Sequence, residues 1–277
     1  MRTPNHVVLA ATTCFLLVAS ACTSQSFTRS TGRYSPTIAP TASRSHSETL
    51  SAPSSSGLER SVIRVEVPEP STDGGPRCFR AGTGVYIGGH TVITAHHVIA
   101  DGPAPANFSV AGIRLLPWNA PRSAANNFAD KGGTFAGSPY MDVAVIHTTK
   151  PAEVEPARLA TRRPNIGDSV TTYGLGGGLN SKLRHSTGAV VGRSIDGTFL
   201  ALDIPSIKGD SGGPVFNADG DLIGIILGGG PDFAPWKVRV YPERDQQFSI
   251  IYPDFDRASP IQGKTLVLDL TSTKLPG

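Results

Sequence analysis

The sequence predicts an all-β fold, and three observations carry that expectation. Short apolar runs alternate with polar residues, as half-buried strands do. The runs are broken by Gly, Pro and Asn, in a chain with 31 Gly and 23 Pro. No long amphipathic helical pattern stands out. Short strands with such punctuation suit a barrel or sandwich better than parallel βαβ units.

The elements follow in chain order. Ser61-Val62-Ile63-Arg64-Val65-Glu66-Val67 alternates apolar and polar and is expected to be a half-buried strand. Gly82 to Ile87 and Thr91 to Ala95 are expected to form a hairpin, with Gly88-Gly89-His90 as its turn. Further strands are expected over 107–116, 142–148, 168–173, 187–195, 198–204, 221–227, 237–241, 247–251 and 265–270. Pro117 to Pro139, rich in Asn, Ala and Gly, is expected to be a long loop. Loops of that length in a compact domain are usually functional or mobile.

Lys208-Gly209-Asp210-Ser211-Gly212-Gly213-Pro214 is the most informative stretch. Asp, Ser, Gly and Pro are all turn formers, so a hairpin turn is one reading. The other is a nucleophile loop. Glycines permit backbone conformations closed to other residues, which lets the N–H groups of Gly209 and Ser211 point at one place where an oxyanion would form. A serine nucleophile needs a base, and the base an orienting group. Val92-Ile93-Thr94-Ala95-His96-His97-Val98 supplies histidines after an apolar run, and Asp142 opens Asp142-Val143-Ala144-Val145-Ile146. Taken singly, such a His is often structural and such an Asp often a turn residue. Together they run His, Asp, Ser along the chain, one of three known orders for this geometry.

Thr94-Ala95-His96-His97-Val98, Asp142-Val143-Ala144-Val145 and Gly209-Asp210-Ser211-Gly212-Gly213-Pro214 resemble the three motifs of chymotrypsin-like (trypsin-fold) serine proteases, nearest the bacterial branch without disulfides. The resemblance covers roughly residues 58 to 230. It implies two antiparallel six-stranded β-barrels with the active site between them. It also implies His97 as base, Asp142 as orienting acid, Ser211 as nucleophile, and Gly209 and Ser211 N–H groups as the oxyanion hole. His96 then takes the position between Thr-Ala and the base. In the animal enzymes the acid matching Asp210 pairs with a freed amino terminus. This chain has no Ile-Val-Gly-Gly start, and Asp210 is expected to bond locally. The specificity pocket falls on Pro205 and on the wall Ile226, Leu227, Gly228 and Gly229, which is uncharged and implies a small or apolar P1 side chain. Glutamate-selective relatives use a His in this wall, and no His follows His185. Leu227 stands where Ser is common.

Other readings fail on the sequence. Gly209-Asp210-Ser211-Gly212-Gly213 also fits the α/β-hydrolase elbow, but that fold needs a histidine after the serine. A subtilisin order needs an Asp before His97, and only Asp73 is available, in a Gly-Pro-rich loop. Gly174-Leu175-Gly176-Gly177-Gly178 precedes no amphipathic helix and is not a nucleotide loop. Metal-ligand spacing is absent, and no metal or cofactor is expected. A catalytically silent, protease-like binding module is the rival class.

Residues 1–21 read as a signal peptide: Arg2, then a mostly apolar Val7 to Ala21, ending in Ala19-Ser20-Ala21. Small residues before Cys22 resemble a bacterial lipobox, although Ala19 sits where Leu is usual. Lipidation of Cys22 would anchor the chain to the outer face of the cell membrane; ordinary cleavage at the same bond would release it as a secreted protein. Residues 22–57 are a Ser/Thr/Pro-rich tether, unable to bury enough surface to offset its ordering entropy. Residues 58–277 make one domain. With Cys14 removed and Cys22 acylated, Cys78 has no intramolecular partner. The net charge of +3 is modest and unclustered, so nucleic acid is not an expected partner; a peptide or protein substrate is.

Overall fold

The computed structural model describes residues 57–68, 79–99, 108–109, 113–120, 134–138, 141–177, 181–229, 239–242, 247–250, 255 and 263–276. The expected signal peptide, Cys22, the tether up to residue 56 and Cys78 lie outside the described residues. Among the described residues no helix is long and apolar enough to cross a membrane.

The chain is almost entirely β. Seven strands form the first sheet: β1 (Val62–Pro68), β2 (Phe79–Gly88), β3 (Thr91–Ala95), β4 (Phe108–Ser109), β5 (Arg114–Pro117), β6 (Thr134–Ser138) and β7 (Val143–His147). Their order is β4-β6-β7-β3-β2-β1-β5, with antiparallel pairing throughout. The edge strands β4 and β5 are consecutive in the chain. From Ser109 to Arg114 the backbone can span at most about 18 Å. A flat seven-stranded sheet would hold its edges about 29 Å apart. The sheet is therefore curled toward a barrel.

The second half closes completely. β8 (Ser169–Gly174), β9 (Arg184–Arg193), β10 (Phe199–Leu202), β11 (Pro214–Asn217), β12 (Leu222–Gly228) and β15 (Thr265–Asp269) form a six-stranded barrel in the order β10-β15-β12-β11-β8-β9. A separate hairpin, β13 (Arg239–Pro242) with β14 (Gln247–Ile250), lies in the connection from β12 to β15. The architecture is that of a chymotrypsin-like double barrel, with one barrel closed and the other sheet curled.

The two faces of the barrel strands are buried in different places. Val170, Val190, Leu200, Leu202, Val215, Ile223, Ile226 and Val267 come from all six barrel strands and form one cluster, the barrel interior. Their neighbours Phe199, Ala201, Phe216, Leu222, Ile225, Leu266 and Leu268 join a second cluster with Val62, Ile93 and Val143 of the first sheet. Strands buried on both faces need continuous apolar runs, which is why 222–227 and 266–268 do not alternate.

Most expected strands are present within a residue or two, the ordinary uncertainty of strand ends. The β2–β3 turn is tight, with Gly88, Gly89 and His90 all at positive φ. Three expectations need correcting. The 117–139 stretch is not loop throughout: Thr134–Ser138 is strand β6, paired along its length with β7. Thr-Phe-Ala-Gly-Ser carries too little apolar pattern to show this by itself. The expected strand 107–116 is two pieces, β4 and β5, on opposite edges of the sheet. Pro214–Asn217, hidden inside the serine motif, is strand β11, with Pro214 at the strand's first position where a missing N–H is tolerated.

Candidate active site

Strand register brings His97 to Asp142. β3 and β7 pair in antiparallel from Thr91↔His147 to Ala95↔Val143. The pairing continues one step further, with the His96 N–H donating to the Asp142 carbonyl at 3.0 Å. After Ala95 the chain turns into α1 (His96–Ile99), a single turn of helix. The Asp142 carboxylate receives the second N–H of this turn: Oδ1 accepts from the His97 backbone at 2.9 Å. The same carboxylate grips the ring, with His97 Nδ1 at 2.7 Å from Oδ2 and 3.0 Å from Oδ1. A carboxylate only accepts, so Nδ1 is the donor here, and in the neutral ring the lone pair then lies on Nε2. Asp142 achieves this at a φ of 53°, a left-handed conformation that Asp tolerates better than most residues. It is 1% exposed, whereas the His97 side chain keeps 18%. The imidazole is thus largely buried but still reaches solvent.

The serine loop is held against the first sheet. The Ser211 carbonyl accepts the Thr83 N–H at 2.9 Å. Gly212 follows at a φ of 81°, and a Cβ there would fall 2.1 Å from the Thr83 carbonyl oxygen and 2.2 Å from Thr94 Oγ1. Only glycine allows that approach. Ser211 is therefore set beside the end of β3, where the histidines begin. Its hydroxyl, half-buried, donates to the Leu227 carbonyl at 3.5 Å, the outer limit of a hydrogen bond.

Three N–H groups of this loop, those of Lys208, Gly209 and Ser211, have no protein acceptor among the described residues, and the last two flank Asp210. The peptides around Gly209 are pinned on their carbonyl sides. Lys208 O accepts from Gly177 N–H at 3.1 Å, and Gly209 O accepts from the Thr83 hydroxyl at 2.8 Å. Gly209 itself has a φ of 102°. Asp210 points inward, 4% exposed. Its Oδ1 accepts from Gly176 N–H at 2.8 Å and its Oδ2 from Ile207 N–H at 2.9 Å, with Arg184 Nη1 at 3.2 Å. The expected local bonding accounts for only one of these contacts, Ile207; Gly176 and Arg184 lie 34 and 26 positions away.

Comparison with known proteins decides the family. A family model described as a trypsin-like peptidase domain matches residues 82–225, just over half of the chain. The chain belongs to the trypsin-like peptidase domain family. It is 30% identical over 174 residues to a glutamyl endopeptidase of Staphylococcus epidermidis, covering 57% of this chain and 56% of that protein. It is 28% identical over 140 residues to a protein of Brucella suis named as a probable periplasmic serine endoprotease, DegP-like, covering 48% of this chain and 24% of that one. The chain thus spans about half, or less, of the length of these relatives. Among solved structures, the Rv3671c protease from M. tuberculosis in its active form superposes with a TM-score of 0.51 at 18% identity, covering 79% of this chain and 84% of that one.

Within this trypsin-like domain, the other expected site residues fall as follows. Pro205 is exposed before the serine loop. Ile226 and Leu227 are 2% and 1% exposed, with side chains in the barrel interior and in the cluster shared with the first sheet. What they present to the site is main chain: Ile226 O accepts the Gly212 N–H, and Leu227 O faces the Ser211 hydroxyl. Gly228 is half-buried and Gly229 exposed. A Cβ on Gly229 would lie 2.3 Å from Ser206 Oγ, so the wall is glycine where Ser206 packs closest.

Sequence reading missed Thr83, Arg184 and the role of Gly174 and Gly176. Cβ atoms on those two glycines would stand 2.2 and 2.5 Å from Asp210 Oδ1. The glycine cluster at 174–178 was the available signal: it marks where the buried Asp210 carboxylate comes close to backbone.

Proposed function

We propose that the chain is a serine endopeptidase acting by acyl transfer. Ser211 Oγ attacks the scissile carbonyl carbon, and His97 Nε2 takes the hydroxyl proton. Asp142 keeps the imidazole in the required tautomer and stabilises its charged form. The carbonyl oxygen becomes an oxyanion held by the N–H groups of Gly209 and Ser211. The C–N bond then breaks, the leaving amine takes the proton from His97, and water repeats the sequence on the acyl ester. The resting Ser211 hydroxyl faces Leu227 O. A rotation about its Cα–Cβ bond turns it toward His97, in keeping with the loose hydrogen bonds of ligand-free sites.

The observation that carries this reading is the two-oxygen grip of Asp142 on His97 Nδ1, beside a serine loop whose Gly209 and Ser211 N–H groups have no protein acceptor. A silent binding module has no use for that arrangement. The P1 preference is for a small or apolar side chain, since no charged residue lies at Pro205 or along 226–229. Export and anchoring at Cys22 complete the proposal, resting on the signal-like segment and the small residues before Cys22.

The test is labelling of the full chain with a fluorophosphonate probe beside Ser211→Ala. Labelling confined to the unaltered chain is expected; no labelling of the folded chain returns the function to a binding module. Peptide-library cleavage strictly after Glu, Lys or Arg would overturn the P1 assignment. Acyl-chain incorporation that survives Cys22→Ser would overturn the anchor.

A further inference from the structure

Thr83, on the first sheet, places its side-chain hydroxyl on the serine loop of the second barrel. It lies on β2 between Gly82 and Gly84 and is fully buried. Its hydroxyl is spent in both directions. It donates to Gly209 O at 2.8 Å and accepts the Leu175 N–H at 2.9 Å. Its own N–H holds Ser211 O at 2.9 Å, and its carbonyl accepts from Thr94 Oγ1 at 2.6 Å. One residue thus grips the carbonyls on both sides of Asp210, and its own carbonyl is bonded to the strand that leads into His96 and His97.

We infer that Thr83 is a positioning residue for catalysis, whose hydroxyl sets the direction of the oxyanion-hole N–H groups. The inference rests on the acyl-transfer reading above. Its physical basis is the peptide plane. Gly209 has no Cβ and a φ of 102°, so its flanking peptides rotate more easily than those of any other residue. Gly177 N–H on Lys208 O holds the peptide that carries the Gly209 N–H, while Thr83 Oγ1 on Gly209 O holds the next peptide, which carries the Asp210 N–H and links the two donor-bearing peptides. Removing the hydroxyl leaves Gly209 O and Leu175 N–H without this partner in a buried place. Both groups then gain by turning elsewhere, and a rotation of the Gly209–Asp210 peptide passes through Gly209 and Asp210 to the donor-bearing peptides on either side. The same hydroxyl ties the loop to the sheet that carries His97, so nucleophile and base keep their separation as the barrels move.

The test compares Thr83→Val, which keeps the volume and removes the hydroxyl, with Thr83→Ser, which keeps the hydroxyl. Thr83→Val is expected to lower kcat and the fluorophosphonate labelling rate about 30-fold, below the loss for deleting an oxyanion donor outright, with KM within about two-fold. Affinity for a peptidyl aldehyde, which needs the oxyanion hole, should fall in step, while that of the corresponding peptide product stays unchanged. Thr83→Ser is expected within about three-fold of the original. Should Thr83→Val fail to fold, Thr83→Cys takes its place: a weak thiol donor of similar volume, expected to lose at least ten-fold. Equal labelling of the folded variant and the original overturns the inference, as does a loss confined to KM or a Thr83→Ser as slow as Thr83→Val. Failure of the original chain to label overturns the proposed function itself, and this inference with it.

Discussion

Arg184 Nη1 lies 3.2 Å from Asp210 Oδ2, joining the start of β9 to the residue before Ser211. With the Gly176 and Ile207 N–H groups, it surrounds the carboxylate from within the second barrel. The acid that animal relatives satisfy with a freed amino terminus is thus satisfied here by a side chain already present. Arg184→Met should lower stability by about 2 kcal/mol, the scale of a hydrogen bond to a charged group, and slow fluorophosphonate labelling about ten-fold. Urea unfolding and labelling kinetics on the same sample check both. Unchanged labelling would mean that the two backbone N–H groups alone hold Asp210.

Asp142→Asn should leave the fold nearly intact and remove most activity. An amide can still accept from the His97 N–H, but its NH2 group favours the wrong imidazole tautomer. In the Ser-His-Asp template this change lowers kcat about 10⁴-fold, and a drop of that order in ester hydrolysis is expected. A drop below ten-fold would sink the assignment of Asp142.

Gly212→Ala should damage the fold itself. The new Cβ would meet backbone and a buried threonine, 2.1 Å from Thr83 O and 2.2 Å from Thr94 Oγ1, at a φ of 81°. Left-handed strain contributes about 1–2 kcal/mol and the forced shift at least as much. Thermal unfolding about 6–12 °C lower is expected for a domain of this size. Gly89→Ala, with φ 56° but open space around it, should shift the transition by less.

The turn from Ser194 to Thr198 should show an acid-sensitive contribution to stability. Burial alone would raise the Asp196 carboxyl, but hydrogen bonds from the Ser194 hydroxyl and from the Thr198 N–H and hydroxyl outweigh it and hold the group below its ordinary value. A folded-state value below the unfolded one favours the native chain above the unfolded value. That contribution is lost as pH falls through the folded value. Melting temperature should therefore fall below about pH 4, and Asp196→Asn should flatten that limb without altering the neutral plateau's shape. An identical acid limb in both proteins would disprove the role of this turn.

The candidate triad was legible before the fold. His97, Asp142 and Ser211 each sit in a short motif whose neighbours are dictated by local geometry: a strand end, a left-handed aspartate, glycines that admit close backbone contact. Strands with alternating or continuous apolar runs were equally legible, because burial of one or both faces is written in side-chain type. β6 and β11 were not, because Thr134–Ser138 and Pro214–Asn217 take their strand character from the partners they pair with. The 107–116 run could not announce that its two ends join opposite edges of one sheet.

The sequence by itself determined which atoms are available for reaction, the all-β class and the glycine positions, since these follow from residue type and short-range spacing. Only the tertiary structure decided how those atoms are aimed. Thr83 lies 126 positions from Gly209, and Arg184 26 from Asp210. No local pattern encodes such a pairing. The first pairing arises when β2 packs against the serine loop, which needs both halves folded, and the second when β9 runs past Asp210 within the closed barrel.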